Sequence, residues 1–303
     1  MTPQSEFNPP VGRPEDLGRG IRRIVAPNPS PMTFRGTNTY LLGETELAVI
    51  DPGPESAAHL EAILAAVGPG QRISHVLVTH AHLDHAPLAR PLAERCDVPV
   101  LAYGDAQAGR SAAMRRLAAA GLQDGGEGID HAFRPDRCLA DGETIEGDGW
   151  SITAHWTPGH LGNHMCFAAR GAMFTGDLVM GWASSLVSPP DGDLTDFMAS
   201  CARLRRLPAE VFHPGHGAPI DAPEARLEWL IAHRLAREAA ILEQLAQGPS
   251  DAQTLARRIY TETPPALLPA ATRNVLAHLI DLYGKNKARP LDDLSATSRF
   301  DLL

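Results

Sequence analysis

Thr79-His80-Ala81-His82-Leu83-Asp84-His85 follows directly on the apolar run 73–78. Four metal-competent side chains thus fall within six residues, where a short buried strand reads as passing into a loop. In extended backbone, side chains two positions apart point to the same side, so His80 and His82 can both reach one ion. The loop can then turn Asp84 and His85 toward a second point nearby. The chain has 13 histidines, but scatter does not account for three of them and an aspartate gathered beside an apolar strand. Buried imidazoles and carboxylates need partners, and a cation supplies them.

Three further segments offer similar side chains, each at the end of an expected strand. Trp156-Thr157-Pro158-Gly159-His160 places a histidine in a tight turn. Phe174-Thr175-Gly176-Asp177 places an aspartate, and His213-Pro214-Gly215-His216-Gly217 another histidine. Ligands at the same ends of several strands can converge on one edge of a sheet.

The surrounding pattern is that of an α/β layered domain. Residues 1–20 read as a loose N-terminal arm. Strands are expected at 39–42 and 47–50 around a hairpin turn at 43–46, then at 73–78 and 98–102. Helices are expected at 57–67 and 85–94. An insertion at 104–135 reads as an exposed helix followed by the glycine-rich stretch 121–128. Strand signals resume at 144–145, 151–155, 165–168 and 172–174, with a helix at 193–207 and a last strand at 211–212. This α/β domain is therefore expected to span 21–220. Beyond it, 221–303 reads as a small helical domain: a long amphipathic helix at 225–245, a second with Ser250 and Gln253 at capping-box spacing, and a third over 265–283. A winged-helix arrangement is compatible, although wing strands are not evident.

The order His-x-His-x-Asp-His, then His, Asp and His, resembles the metallo-β-lactamase-fold hydrolase superfamily over about residues 33–220. Gly36-Thr37-Asn38-Thr39-Tyr40 and, in the tail, Thr263-Pro264-Pro265 and Asn274-Val275-Leu276-Ala277-His278-Leu279 narrow the likeness. They resemble the β-lactamase-like protein 2 group, a glyoxalase II-related branch with a winged-helix-like C-terminal domain. The resemblance implies an αββα sandwich with two metals at one edge. It implies that His80, His82 and His160 hold the first metal, that Asp84, His85 and His216 hold the second, and that Asp177 bridges them. Two ions about 3.5–4 Å apart can share a hydroxide near neutral pH, and Asp84 is then the catalytic group that orients it or takes its proton. All seven donors are N or O, so zinc is the first choice, with iron and manganese compatible. Asp177 stands where several penicillin-cleaving members have a cysteine, which disfavours antibiotic hydrolysis.

The leading expectation is hydrolysis of a small ester or thioester. The runner-up is cleavage of single-stranded RNA, since some members of that group are endoribonucleases and the same site serves both reactions. A binding module without catalysis is a third class, disfavoured because all seven donors are present. His164 and His213 read as neighbours of the site rather than ligands. Met180 and Trp182 read equally as pocket lining or packing. Arg110, Arg115 and Arg116 read as a solvated helix face before an anion site.

Composition bounds the rest. The 303 residues carry a formal charge of −9 and are 44% hydrophobic, which excludes a disordered chain and argues against non-specific nucleic-acid binding. The tail 251–303 has seven bases against six acids, a net of +1 with no basic patch. Cys96, Cys138, Cys166 and Cys201 are dispersed, so neither a zinc ribbon nor a disulfide framework is indicated. No secretory signal and no membrane-spanning run is seen, so a cytoplasmic protein is expected, with self-association left open.

Overall fold

The computed structural model describes residues 4–123 and 128–303; part of the glycine-rich stretch 121–128 and the first three residues of the expected arm lie outside them. Seven strands form the first sheet, in chain order: β1 (Glu15–Gly18), β2 (Ile21–Val25), β3 (Asn38–Leu42), β4 (Glu46–Ile50), β5 (Arg72–Leu77), β6 (Val100–Ala102) and β7 (Arg137–Cys138). β1 to β4 pair antiparallel, and β4 to β7 pair parallel. Parallel neighbours need crossovers. Helices α1 (Ala57–Ala65), after β4, and α2 (Ala89–Cys96), after β5, supply two of them.

The second sheet holds β8 (Thr144–Gly147), β9 (Trp150–Trp156), β10 (Met165–Ala169), β11 (Ala172–Gly176) and β12 (Val211–Pro214), in the spatial order β12-β11-β10-β9-β8. Only β11 and β12 pair parallel within it, and α4 (Leu194–Leu204) makes their crossover.

Side-chain alternation makes both sheets two-faced. Tyr40, Leu42, Ala48, Ile50 and Leu77 of the first sheet meet Ile152, Ala154, Met165, Phe167 and Phe174 of the second. Leu41, Leu47 and Val49, pointing the other way, bury against Ile63 of α1 and Leu92 of α2. Cys166, Met173 and Phe212 bury against Phe197 and Cys201 of α4 and Leu227 of α5 (Pro223–Leu245). The result is the αββα sandwich.

The C-terminal unit adds α6 (Ala252–Ile259), α7 (Leu268–Gly284) and a sheet ordered β13 (Ser250–Asp251), β15 (Arg299–Leu302), β14 (Ala288–Pro290). β14 and β15 are the wing that sequence patterning left hidden. Its core includes Leu255, Val275, Leu279 and Phe300. Met114 of α3 (Ala112–Ala119) and Leu122, both from the insertion, join that core.

Three local expectations change. The 1–20 arm is not loose throughout, because β1 pairs with β2 and Phe7 is buried against Val25 and Ala218. The helix expected from residue 85 begins at Ala89, because tight turns occupy residues 83–88. Asp251, not Ser250, caps α6, its carboxylate accepting from Thr254 N at 2.7 Å. Ser250 instead pairs with Phe300 in the small sheet. No helix among the described residues is long and apolar enough to cross a membrane.

Candidate metal centre

Five strand ends meet at one edge of the sandwich. β4 leads to Asp51, β5 to residues 79–85, β9 to His160, β11 to Asp177 and β12 to His216. Two donor groups assemble there, His80 with His82 and His160, and Asp84 with His85, Asp177 and His216. Within each group the ligand atoms lie within 4.8 Å of one another.

In the first group His82 Nδ1 lies 3.0 Å from His80 Nε2 and 3.1 Å from His160 Nε2. In the second, His216 Nε2 is 3.1 Å from Asp84 Oδ2 and 3.3 Å from Asp177 Oδ2. His85 Nε2 is 3.3 Å from Asp84 Oδ2 and 3.5 Å from Asp177 Oδ1. Asp177 Oδ2 also stands 3.8 Å from His160 Nε2, so this carboxylate spans the two groups.

The outer ring nitrogens select the tautomers. His160 Nδ1 donates to Leu186 O at 2.7 Å, and His216 Nδ1 donates to Gly36 O at 3.2 Å. His85 Nδ1 donates to Asp51 Oδ2 at 2.9 Å. The Thr79 hydroxyl is already committed to Asp51 Oδ2 at 2.7 Å, so its oxygen accepts from His80 Nδ1 at 2.9 Å. Each bond leaves Nε2 as the ring nitrogen that faces inward, the arrangement that orients metal-binding imidazoles. His85 Nε2 and Asp177 Oδ1 are buried without a hydrogen-bond partner among the described residues. Facing lone pairs and orphaned acceptors are costly unless a cation sits among them. The His/Asp cluster therefore fits two metal ions.

Electrostatics divide the groups. Burial pushes His82 down to about 3 and His80 well below the usual histidine range, with neighbouring imidazoles adding to the effect. In the other half burial acts the same way but is overcome. Asp177 and Asp84 hold His216 up at about 9, and Asp84, Asp177 and Asp51 hold His85 well above its ordinary value. Both carboxyls in turn, despite burial, are held well below theirs by His85 and His216. The pull on those two histidines is the pull a divalent cation would feel.

Close backbone approach builds the frame. A Cβ at Gly215 would stand 2.3 Å from Asp177 Oδ1 and 2.7 Å from His85 Cε1. The turn bearing His216 is tied down by Asn38 Nδ2, which donates to Pro214 O and Gly217 O at 2.9 Å each, and by the Tyr40 hydroxyl, 2.7 Å from Pro214 O. The Thr37 hydroxyl donates to Asp84 Oδ2 at 3.2 Å.

The two donor groups open onto a cleft of about 1240 Å³. Its walls are mostly apolar, with Pro31, Met32, Leu83, Met180, Leu186 and Leu268 among them; Arg257 and Arg273 are its cations. Met180 thus lines the cleft, whereas Trp182 stacks on Phe34 at 5.1 Å. Arg110 pairs with Asp191 and Arg115 donates to Arg110 O at 2.5 Å, and neither is among the residues that line the cleft. His164 Nδ1 meets Thr157 Oγ1 at 3.0 Å, and His213 packs on Tyr40 and Phe174. Neither belongs to a donor group.

The sequence pattern of the metallo-beta-lactamase superfamily matches residues 32–216. The chain belongs to that superfamily. The pattern of the beta-lactamase associated winged helix domain matches residues 252–296, which contain α6, α7 and β14. A beta-lactamase-like protein 2 homolog of Drosophila melanogaster is 30% identical over 298 residues, covering 90% of this chain and 91% of that protein. An atrochrysone carboxyl ACP thioesterase of Aspergillus fumigatus is 27% identical over 288 residues, covering 92% and 82%. Among solved structures, a beta-lactamase domain protein from Burkholderia ambifaria superposes with a TM-score of 0.80 at 24% identity, over 99% of this chain and 96% of that one. This superfamily member is a hydrolase with a His/Asp cluster suited to holding metal.

Asp51 had no site role in the sequence reading, yet it accepts from Thr79 N, Thr79 Oγ1 and His85 Nδ1. The signal available was Asp51-Pro52-Gly53 at a strand end, with Asp51 at φ 51°. Thr37 and Asn38 entered only through a family likeness, and Tyr40 through that and an expected strand; their hydrogen bonds give them physical roles.

Proposed function

We propose that the protein is a hydrolase that uses two divalent ions, zinc first, on a small ester or thioester. One observation carries this reading: two donor groups, spanned by Asp177, form the floor of one cleft. On this reading His80, His82 and His160 hold one ion, Asp84, His85 and His216 hold the other, and Asp177 contacts both. The sandwich (21–220) is the catalytic domain, and 221–303 edges its cleft. Bound there, two divalent ions supply Lewis acidity and bring water deprotonation toward neutral pH.

The protein's own groups do the remainder. Asp84 has one oxygen engaged by His216 and Thr37 and is partly open to the cleft, so it can orient a water and accept its proton. Asp177 keeps the two halves in register. Apolar walls from Met180, Leu186 and Leu268 suit an acyl chain and exclude water around it. A thioesterase name on a relative aligned over 92% of the chain supports the same class. RNA would ask for a basic track with aromatic stacking platforms; among the described residues the cleft is lined by Arg257 and Arg273 as its cations and by no Phe, Tyr or Trp.

The test is thiol release from a graded series of acyl thioesters by zinc-loaded protein, with Asp84→Ala prepared identically. We expect turnover by the wild type and a fall of at least about 100-fold in the variant. Cleavage of labelled single-stranded RNA with no thioester turnover overturns the assignment.

A further inference from the structure

The C-terminal domain reaches the three-histidine group through a single peptide unit. His160 Nδ1 donates to Leu186 O at 2.7 Å. That carbonyl shares its plane with the Val187 N–H, because a peptide unit is rigid. Val187 N donates in the opposite direction, to Asn274 Oδ1 of α7, at 3.0 Å. The same oxygen accepts from Arg234 Nη1 of α5 at 2.9 Å. Both partners of Asn274 at this point are N–H donors, so its oxygen, not its nitrogen, must occupy the position. Arg234 is 2% exposed, and its Nη2 donates to Ser185 O, on the other side of Leu186. The peptide that holds His160 is therefore clamped on both flanks by side chains from α5 and α7.

The loop around this peptide is bound to the same two helices. Arg226 of α5 donates to Met180 O and Ala183 O at 2.7 Å each, and Arg273 of α7 donates to Ser188 Oγ at 2.8 Å. Arg234 and Val187 N share one acceptor oxygen, so Arg234 fixes where the Asn274 amide sits. The peptide between Leu186 and Val187 both donates to Asn274 and accepts from His160, so its bond to Asn274 strengthens the Leu186 carbonyl as an acceptor and reinforces the Nδ1–H tautomer of His160.

We propose that Asn274, backed by Arg234, is a positioning residue for the ion-holding ring of His160. This rests on the reading of His80, His82 and His160 as one metal site. It gives the appended domain a part in building the centre as well as in walling the cleft.

The experiment is a double-mutant cycle read by zinc affinity, using competition with a chromogenic chelator on the full-length protein. Circular dichroism of the metal-free forms checks the fold. Asn274→Ala should weaken the three-histidine site about 10- to 100-fold, the range for removing an orienting partner behind a ligand. Asn274→Asp keeps an oxygen for both donors and should stay within about threefold of wild type. In a His160→Ala background, Asn274→Ala should add no further loss. The cobalt-loaded protein should show a changed visible spectrum for Asn274→Ala and an unchanged one for Asn274→Asp. If Asn274→Ala fails to fold, Asn274→Ser, an oxygen on a shorter stem, replaces it in the cycle. Affinity within twofold of wild type, or an equal loss with and without His160, overturns the positioning role. Wild-type protein that takes up no ion at these histidines refutes the reading of the centre itself.

Discussion

Replacing Asp51 with asparagine reverses the hydrogen-bond logic beneath the second donor group. The carboxylate accepts three bonds: Thr79 N on Oδ1 at 2.7 Å, and the Thr79 hydroxyl and His85 Nδ1 on Oδ2 at 2.7 and 2.9 Å. An amide has one oxygen. If that oxygen faces Thr79 N, the amide NH2 faces His85 Nδ1, which must then accept. The ring proton moves to Nε2, the nitrogen 3.3 Å from Asp84 and 3.5 Å from Asp177, and blocks the ligand atom. If the amide turns over, the buried Thr79 N–H is left facing a donor, at a cost of about 1–3 kcal/mol. The amide cannot meet both demands. We expect zinc affinity at the carboxylate-bearing half to drop about 10- to 100-fold, with the metal-free variant destabilised by roughly 1–3 kcal/mol. Chelator competition measures the first and urea unfolding the second. A variant that binds both ions within twofold of wild type, at unchanged stability, refutes the argument that Asp51 sets the His85 tautomer.

Further outcomes follow from the same geometry. Gly215→Ala drives a methyl group into Asp177 and His85; metal analysis should show loss of the ion at the carboxylate-bearing half while circular dichroism stays native. Zinc at about 100 times its dissociation constant should stabilise the fold by about 2.7 kcal/mol for each site filled, and chelation should reverse it, since the unfolded chain has no assembled site. His278 is buried with neither ring nitrogen partnered among the described residues, and burial, with Arg234 adding, pushes it down to about 3. Its folded value lies below the unfolded one near 6.5, so its contribution to stability is complete above that pH and is lost progressively as pH falls toward 3. His278→Leu should therefore gain about 2 kcal/mol more at pH 5 than at pH 7, from about 1.36 kcal/mol per pH over the roughly 1.5 pH below the unfolded value; urea midpoints at the two pH values check it, and equal gains would contradict it.

Much of the fold and the convergence of the seven donors was legible because both rest on short-range pattern. Alternating apolar residues and glycine-punctuated strand ends mark the sandwich, and His80, His82, Asp84 and His85 sit within one turn-rich stretch. What escaped depends on partners far apart in sequence. Asp51 matters because the parallel pairing of β4 and β5, with its irregularity at Leu47/Ala48, brings Asp51 beside Thr79. β13 is two residues long and the wing strands are three and four, too short for alternation to register. Ser250 and Asp251 both offer capping oxygens, and the pairing of Ser250 with Phe300 decides between them. The Asn274 connection spans 87 residues in one step and 40 in the next. No local spacing encodes it.

The most direct test of the account is the metal content of the purified protein by mass spectrometry, alongside His160→Ala and His216→Ala. The account predicts two divalent ions per chain, one lost in each variant and both present in a native-like fold. A wild type that holds one ion or none when supplied with zinc, or two variants that lose the same ion, contradicts it.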